Sequence, residues 1–151
     1  MKKILFTAAV LLAALTSCTK ENIYYQNDIQ TFLIPVASNQ WAYTNVNDNN
    51  CFIATVDMPE ITESVMKTGM IKMYRVYDFG TSKETQVEMP YLLPLERYWE
   101  EDNFWEFYTE VVTYEISRGK ITIFFTMTNF DYEIDETMSP DAMQFRCVIM
   151  Q

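Results

Sequence analysis

Residues 96–107, ERYWEEDNFWEF, set Tyr98, Trp99, Phe104 and Trp105 among Glu96, Glu100, Glu101, Asp102 and Glu106. Aromatic faces stack on sugar rings and carboxylates accept sugar hydroxyls. The stretch can therefore form a ligand platform for a glycan, with Tyr98, Trp99 and Trp105 as its contacts. The competing reading sends alternate aromatics into the core and leaves the acids in a solvated loop. Two of the carboxylates can also be imagined in glycoside hydrolysis, which needs an acid of raised pKa opposite a nucleophile or base. A chain with 21 acidic residues offers such pairs by chance, however, and no enzyme is expected.

Other chemistry is narrowed by what the chain lacks. It has no histidine, which excludes Ser-His-Asp and Cys-His nucleophilic sites and histidine-based metal centres. The oxygen-rich stretches at residues 45–50 (NVNDNN) and 131–142 (DYEIDETMSPDA) lack the Asp-x-Asp-x-Asp-Gly spacing of a dedicated calcium loop. They read as turn and solvated surface, so neither a metal nor a cofactor is expected. Arg75 and Arg146 interrupt apolar strands; each is expected to pair with an acid at a sheet edge, with anion binding as a lesser role. Cys51 and Cys147 permit one disulfide, or remain two separate buried thiols.

The N-terminus carries an address. Met1-Lys2-Lys3 is basic, and residues 4–15 are apolar except for Thr7. A helix over residues 4–15 would rise only ~18 Å, short of a ~30 Å hydrocarbon core, so it reads as a cleavable segment. Leu15-Thr16-Ser17-Cys18 resembles the lipobox read by lipoprotein signal peptidase; an ordinary secretory signal with an incidental cysteine is the alternative. The resemblance implies cleavage before Cys18, acylation of its sulfur (palmitate or similar chains) and partnership with the lipid bilayer. Residues 1–17 are then a signal peptide, 18–28 a lipidated tether and 29–151 one domain. Without Lys2 and Lys3, nine basic residues stand against 21 acids, a formal charge near −12. Such a surface repels nucleic acid and anionic lipid.

The elements that must position these residues are mostly strands. Ten Tyr, ten Phe and three Trp with only three Gly favour half-buried pleated surfaces. Strands are expected at residues 30–36, 40–46, 51–57, 70–79, 85–89 and 143–150, with Pro35 sending the first to an edge or ending it. Pro90 and Pro94 hold residues 91–93 extended. One short helix is expected near 59–67, opened by Pro59 and Glu60 and stopped at Gly69. Residues 105–128 form the best-defined hairpin. With Arg118-Gly119 as its turn, paired positions sum to 237: Ile116 with Ile121, Tyr114 with Ile123 and Val112 with Phe125 make one apolar face. The expected fold is an all-β antiparallel β-sandwich, its wiring immunoglobulin-like or jelly-roll, with one short helix.

Residues 57–62 (DMPEIT), Leu92-Leu93-Pro94-Leu95, Tyr114-Glu115-Ile116, Gly119-Lys120-Ile121 and the closing MQFRCVIM, with Cys18, carry a likeness of their own. From Trp41 to Met150 the chain resembles a group of small uncharacterised cell-envelope lipoproteins of Bacteroidetes. That resemblance implies an envelope β-domain and no reaction, so no catalytic residue is carried over. The function expected is a non-enzymatic binding or accessory module anchored at the cell outer membrane, with an envelope protein or a glycan as partner. A structural subunit of an envelope assembly is the alternative, and a carbohydrate-binding or carbohydrate-active protein the third.

Overall fold

The structure is a computed structural model that describes residues 28–46, 49–99, 103–128 and 134–151, Trp99 by its backbone alone. The expected signal helix at 4–15, the lipobox cysteine Cys18 and nearly all of the tether lie outside the described residues.

Nine strands form two antiparallel sheets among those residues: β1 (Ile29–Val36), β2 (Ala42–Val46), β3 (Asn49–Asp57), β4 (Met70–Tyr77), β5 (Thr85–Glu88), β6 (Tyr91–Trp99), β7 (Phe104–Ser117), β8 (Lys120–Thr128) and β9 (Met143–Met150). One sheet has the order β1-β9-β4-β5 and the other β2-β3-β8-β7-β6. The all-β sandwich is therefore the fold. Strands β6, β7 and β8 follow one another by hairpins, and β3 returns beside β8, which is a Greek key.

Period-two alternation decides which side chains meet between the sheets. In β9, Met143, Phe145, Cys147 and Ile149 are buried while the residues between them are half-buried. They face Ile34, Val36 and Met73 within their sheet and Phe52, Ala54, Val112, Ile121, Ile123 and Phe125 across the core. The β7–β8 register is the expected one, Ser117↔Lys120 to Val112↔Phe125, and Gly119 takes φ +75° in the turn. A one-residue slip would move Ile121, Ile123 and Phe125 into water together, which makes this register strongly specified. Pro35 does sit on an edge strand, since only β9 pairs with β1.

The helix is shorter and later than the expected 59–67. It is α1 (Glu63–Thr68), with Thr62 as its N-cap accepting from the Val65 N–H at 3.3 Å. Tertiary backbone bonds override the Pro-Glu start. Met58 N–H donates to Gly119 O at 2.8 Å, and Gly119 N–H donates to Ile61 O at 2.9 Å. Residues 58–61 are thereby clasped to the β7–β8 turn, and Met58, Ile61 and Val65 plug that end of the core. Gly69 ends the helix, but through extended backbone (φ −87°) rather than a left-handed cap. Its need is space: a Cβ there would lie 2.9 Å from Met150 O and from Val65 O. Thus α1, the β7–β8 turn, Met150 and its partner Ile29 share one end of the sandwich.

Cys51 and Cys147 are free and buried, so the disulfide allowed by the sequence is not formed. Cys147 belongs to the inner face of one sheet. Cys51 alternates with the inward Phe52 and Ala54 of the other sheet, so it faces away from the core. A thiol between the sheets and one on the outer face of the opposite sheet cannot meet without refolding a strand. Burial pushes the Cys147 pKa up to about 11 and raises that of Cys51.

Candidate functional site

The aromatic-acid stretch is not a loop. Its first half continues β6 and its second half opens β7, paired Glu96↔Phe107, Arg97↔Glu106, Tyr98↔Trp105 and Trp99↔Phe104. Among the described residues β8 accompanies β7 only as far as Thr109↔Thr128. Beyond that pair, residues 95–99 and 103–108 form a two-stranded ribbon at the end of the sandwich opposite α1.

Alternation from the buried Tyr91 and Val112 assigns the ribbon's faces. Leu93, Leu95, Arg97, Glu110, Tyr108, Glu106 and Phe104 share the inward parity; Leu92, Pro94, Glu96, Tyr98, Thr109, Phe107 and Trp105 share the outward one. The inward side is matched in its polar groups, while Phe104 at its tip is 54% exposed. Glu106 is buried opposite Arg97, and the Arg97 guanidinium lies 5.5 Å from the Tyr108 ring centroid. The outward side is not. Leu92 is 68% exposed, Phe107 67% and Trp105 51%. Tyr98 and Trp105 touch, ring centroids 5.0 Å apart and tilted by 41°, and the Tyr98 hydroxyl donates to Asn103 Oδ1 at 2.6 Å. Glu96 and Thr109 share this face, and several large exposed apolar side chains on one face mark interaction sites.

The structure therefore brings Tyr98 and Trp105 together, exposed, and overturns the reading that sends alternate aromatics into the core. Trp99 follows Tyr98 at the end of β6, where its backbone pairs with Phe104. Phe107 and Leu92, which the glycan reading omits, are the most exposed members of the surface. The signal for them is the edge position of β6, which the sequence does not display. Glu100 and Glu101 lie outside the described residues. Glu106 and Glu110 are four residues apart on one strand, ~13 Å, too far for the carboxylate separations of glycoside hydrolysis.

A second cluster lies between the sheets. Ile71, Met73, Arg75 and Tyr77 share the inward parity of β4, and Arg75 is opposite the buried Phe145. Its Nη1 donates to Gln144 O at 3.1 Å and its guanidinium lies 4.9 Å from the Tyr77 centroid and 5.5 Å from that of Phe145. Its Nε is buried without an acceptor among the described residues. Among the described residues no acid forms the expected ion pair with Arg75 at a sheet edge; the rings surround it, and its charge acts on the Glu110 carboxyl and the Tyr91 hydroxyl. Burial, reinforced by the Tyr77 hydroxyl, holds the Tyr91 phenol far above its usual pKa. Burial also raises Glu110; Arg75 opposes the shift and Asp141 adds to it.

Arg146 pairs with Glu84 at 3.0 Å, as its position in an apolar strand predicts. Glu84 is held below the usual carboxylate range, first by the Gly80 N–H and then by Arg146. In the acidic segment before β9, Asp135 accepts from Thr137 N–H at 2.8 Å and from its hydroxyl at 2.6 Å, a local turn, while Ile134 enters the core. Among the described residues no three His, Cys, Asp or Glu converge on a metal position, and no helix is long and apolar enough to cross a membrane. No protein-family model matches the chain, and neither a curated protein nor a solved structure does so.

Proposed function

We propose that the protein is a non-enzymatic binding module of the bacterial cell envelope, held at the outer membrane by lipid on Cys18, with the β6–β7 ribbon as its recognition element. The observation that carries this reading is the outward row Leu92, Tyr98, Trp105 and Phe107, displayed on a ribbon that adds little to the core. A rigid sandwich supports it from below, which suits recognition by preformed surface. The lipobox resemblance supplies the anchor, and two or three acyl chains hold far better than one because each buried CH₂ contributes ~0.8 kcal/mol.

The test has two arms. Cells expressing the full chain are fed radiolabelled palmitate; label is expected on the wild type and absent from Cys18→Ser. Trp105→Ala with Phe107→Ser is then compared with wild type for material retained from intact cells after crosslinking. Retention should fall while the thermal transition remains. Unchanged retention, or an unlabelled wild type, defeats the corresponding half of the reading.

A further inference from the structure

We infer that the ribbon takes a basic polypeptide segment, added as a further strand along the open edge of β6 with its apolar side chains against the outward aromatic row. This rests on the ribbon being the recognition element and names its partner.

Three observations point this way. The first is the edge itself. Among the described residues β6 ends its sheet, pairing with β7 alone through nine residues, Tyr91 to Trp99. An unpaired edge presents alternating N–H and C=O groups at strand spacing, which an extended polypeptide satisfies along its whole length. Pro94 removes one donor from this strand and so limits nonspecific edge pairing without closing the rest.

The second is the poverty of hydrogen-bonding groups on the displayed face. Of its outward residues, Leu92, Pro94, Phe107 and Trp105 present mainly apolar surface and the Tyr98 hydroxyl already donates to Asn103, which leaves Glu96 and Thr109 as the face's other polar side chains. A glycan needs several partners for its hydroxyls. Apolar side chains at alternate positions of a strand need none, and they fit a row of the same period.

The third is charge. On the described part of the ribbon the exposed Glu96 lies on the outward face, while Glu106 and Glu110 lie on the inward side with Arg97, and the sequence between the two strands adds Glu100, Glu101 and Asp102. The chain as a whole carries −10. Two such ribbons repel each other, which argues against a second copy as occupant. A segment rich in Lys or Arg is drawn to the ribbon and oriented by it.

The experiment places the photocrosslinker p-benzoylphenylalanine, one site at a time, at positions 92, 98 and 107 of the full-length chain in its host cells. Adducts are cut and sequenced by mass spectrometry. The expected result is one segment of one other protein, with Lys and Arg in excess and apolar residues alternating. Landing sites from positions 92 and 98 should lie about six residues apart along that segment, as they do along β6. Adding Glu96→Lys to the position 107 chain should lower adduct yield by about threefold or more, and raising salt to about 0.5 M should do the same.

Adducts to a second copy of this chain, landing sites scattered over many proteins, or a yield indifferent to both Glu96→Lys and salt would overturn the inference. Adducts carrying only carbohydrate masses would overturn it too, yet leave the ribbon as recognition element. No adduct from any of the three positions defeats both readings. Far-UV circular dichroism of each variant guards against misfolding; if position 98 disturbs the fold through its contact with Trp105, positions 92 and 107 suffice to decide composition and charge dependence.

Discussion

Replacing Trp105 by Ala separates a displayed aromatic from a packed one. A Trp side chain offers at most about 250 Å². At 51% exposure Trp105 hides about half of it, near 120 Å², or about 3 kcal/mol at ~25 cal/mol per Å². The denatured chain already hides part of that surface and Ala retains its own share, leaving about 1–2 kcal/mol. Trp41 is the internal control. It is 7% exposed and packs against Phe125 with centroids 6.3 Å apart, so Trp41→Ala is expected to cost about 3–5 kcal/mol. Guanidinium unfolding of the wild type and both variants, followed by circular dichroism, gives both numbers. Equal losses for the two variants would refute the reasoning, because they would mean that the ribbon is built into the core rather than displayed. A fall in the denaturant slope for Trp105→Ala would refute it as well, since the buried area would then no longer be a single cooperative unit.

Three other outcomes follow from the geometry. Gly69→Ala should destabilise the domain by about 1–3 kcal/mol despite the good helix propensity of Ala, because its Cβ would press on Met150 O and Val65 O at 2.9 Å; thermal denaturation reads this directly. Cys147 has its pKa raised from 9.0 to about 11 by burial, so the folded state keeps a proton that the unfolded state loses. Its contribution to stability is therefore intact below pH 9 and lost as pH rises from 9 to 11, and Cys147→Ala should flatten unfolding free energy measured across that window. Arg75→Met should move the Glu110 carboxyl further up, because burial already raises it and the guanidinium is what opposes that shift; carboxyl carbon chemical shifts followed against pH would show an unmoved or lower titration midpoint, contrary to expectation, if Arg75 does not face Glu110.

Legibility in the sequence tracks burial on one face. The β7–β8 register follows from the residues alone because Val112, Tyr114 and Ile116 alternate with more polar residues and Gly119 marks the turn. The final strand β9 is equally clear. The start of α1 is not, because Pro59 and Glu60 carry the local signature of a first turn, whereas backbone bonds between Met58, Ile61 and Gly119 decide the matter from residues far along the chain. The extension of β6 past Leu95 escapes sequence reasoning for a different reason. Past the end of the β8 pairing the ribbon buries little besides Glu106, so few positions select an apolar alternation, and aromatics and acids occur on both sides. The inward direction of Arg75 is legible from alternation; its company, Tyr91 and Glu110, depends on how two sheets are stacked, which no local pattern encodes.

The placement of Ile29 beside Met150 has a consequence for reach. Both lie at the α1 end, and β7 runs from that end at Ser117 to the ribbon at Phe104. Thirteen residue steps of about 3.4 Å put some 44 Å between them, comparable to the full depth of a bilayer. Under the proposed lipid anchor on Cys18, the attachment belongs to the α1 end of the sandwich and the aromatic row to the other, so the length of the domain separates the row from the point of attachment.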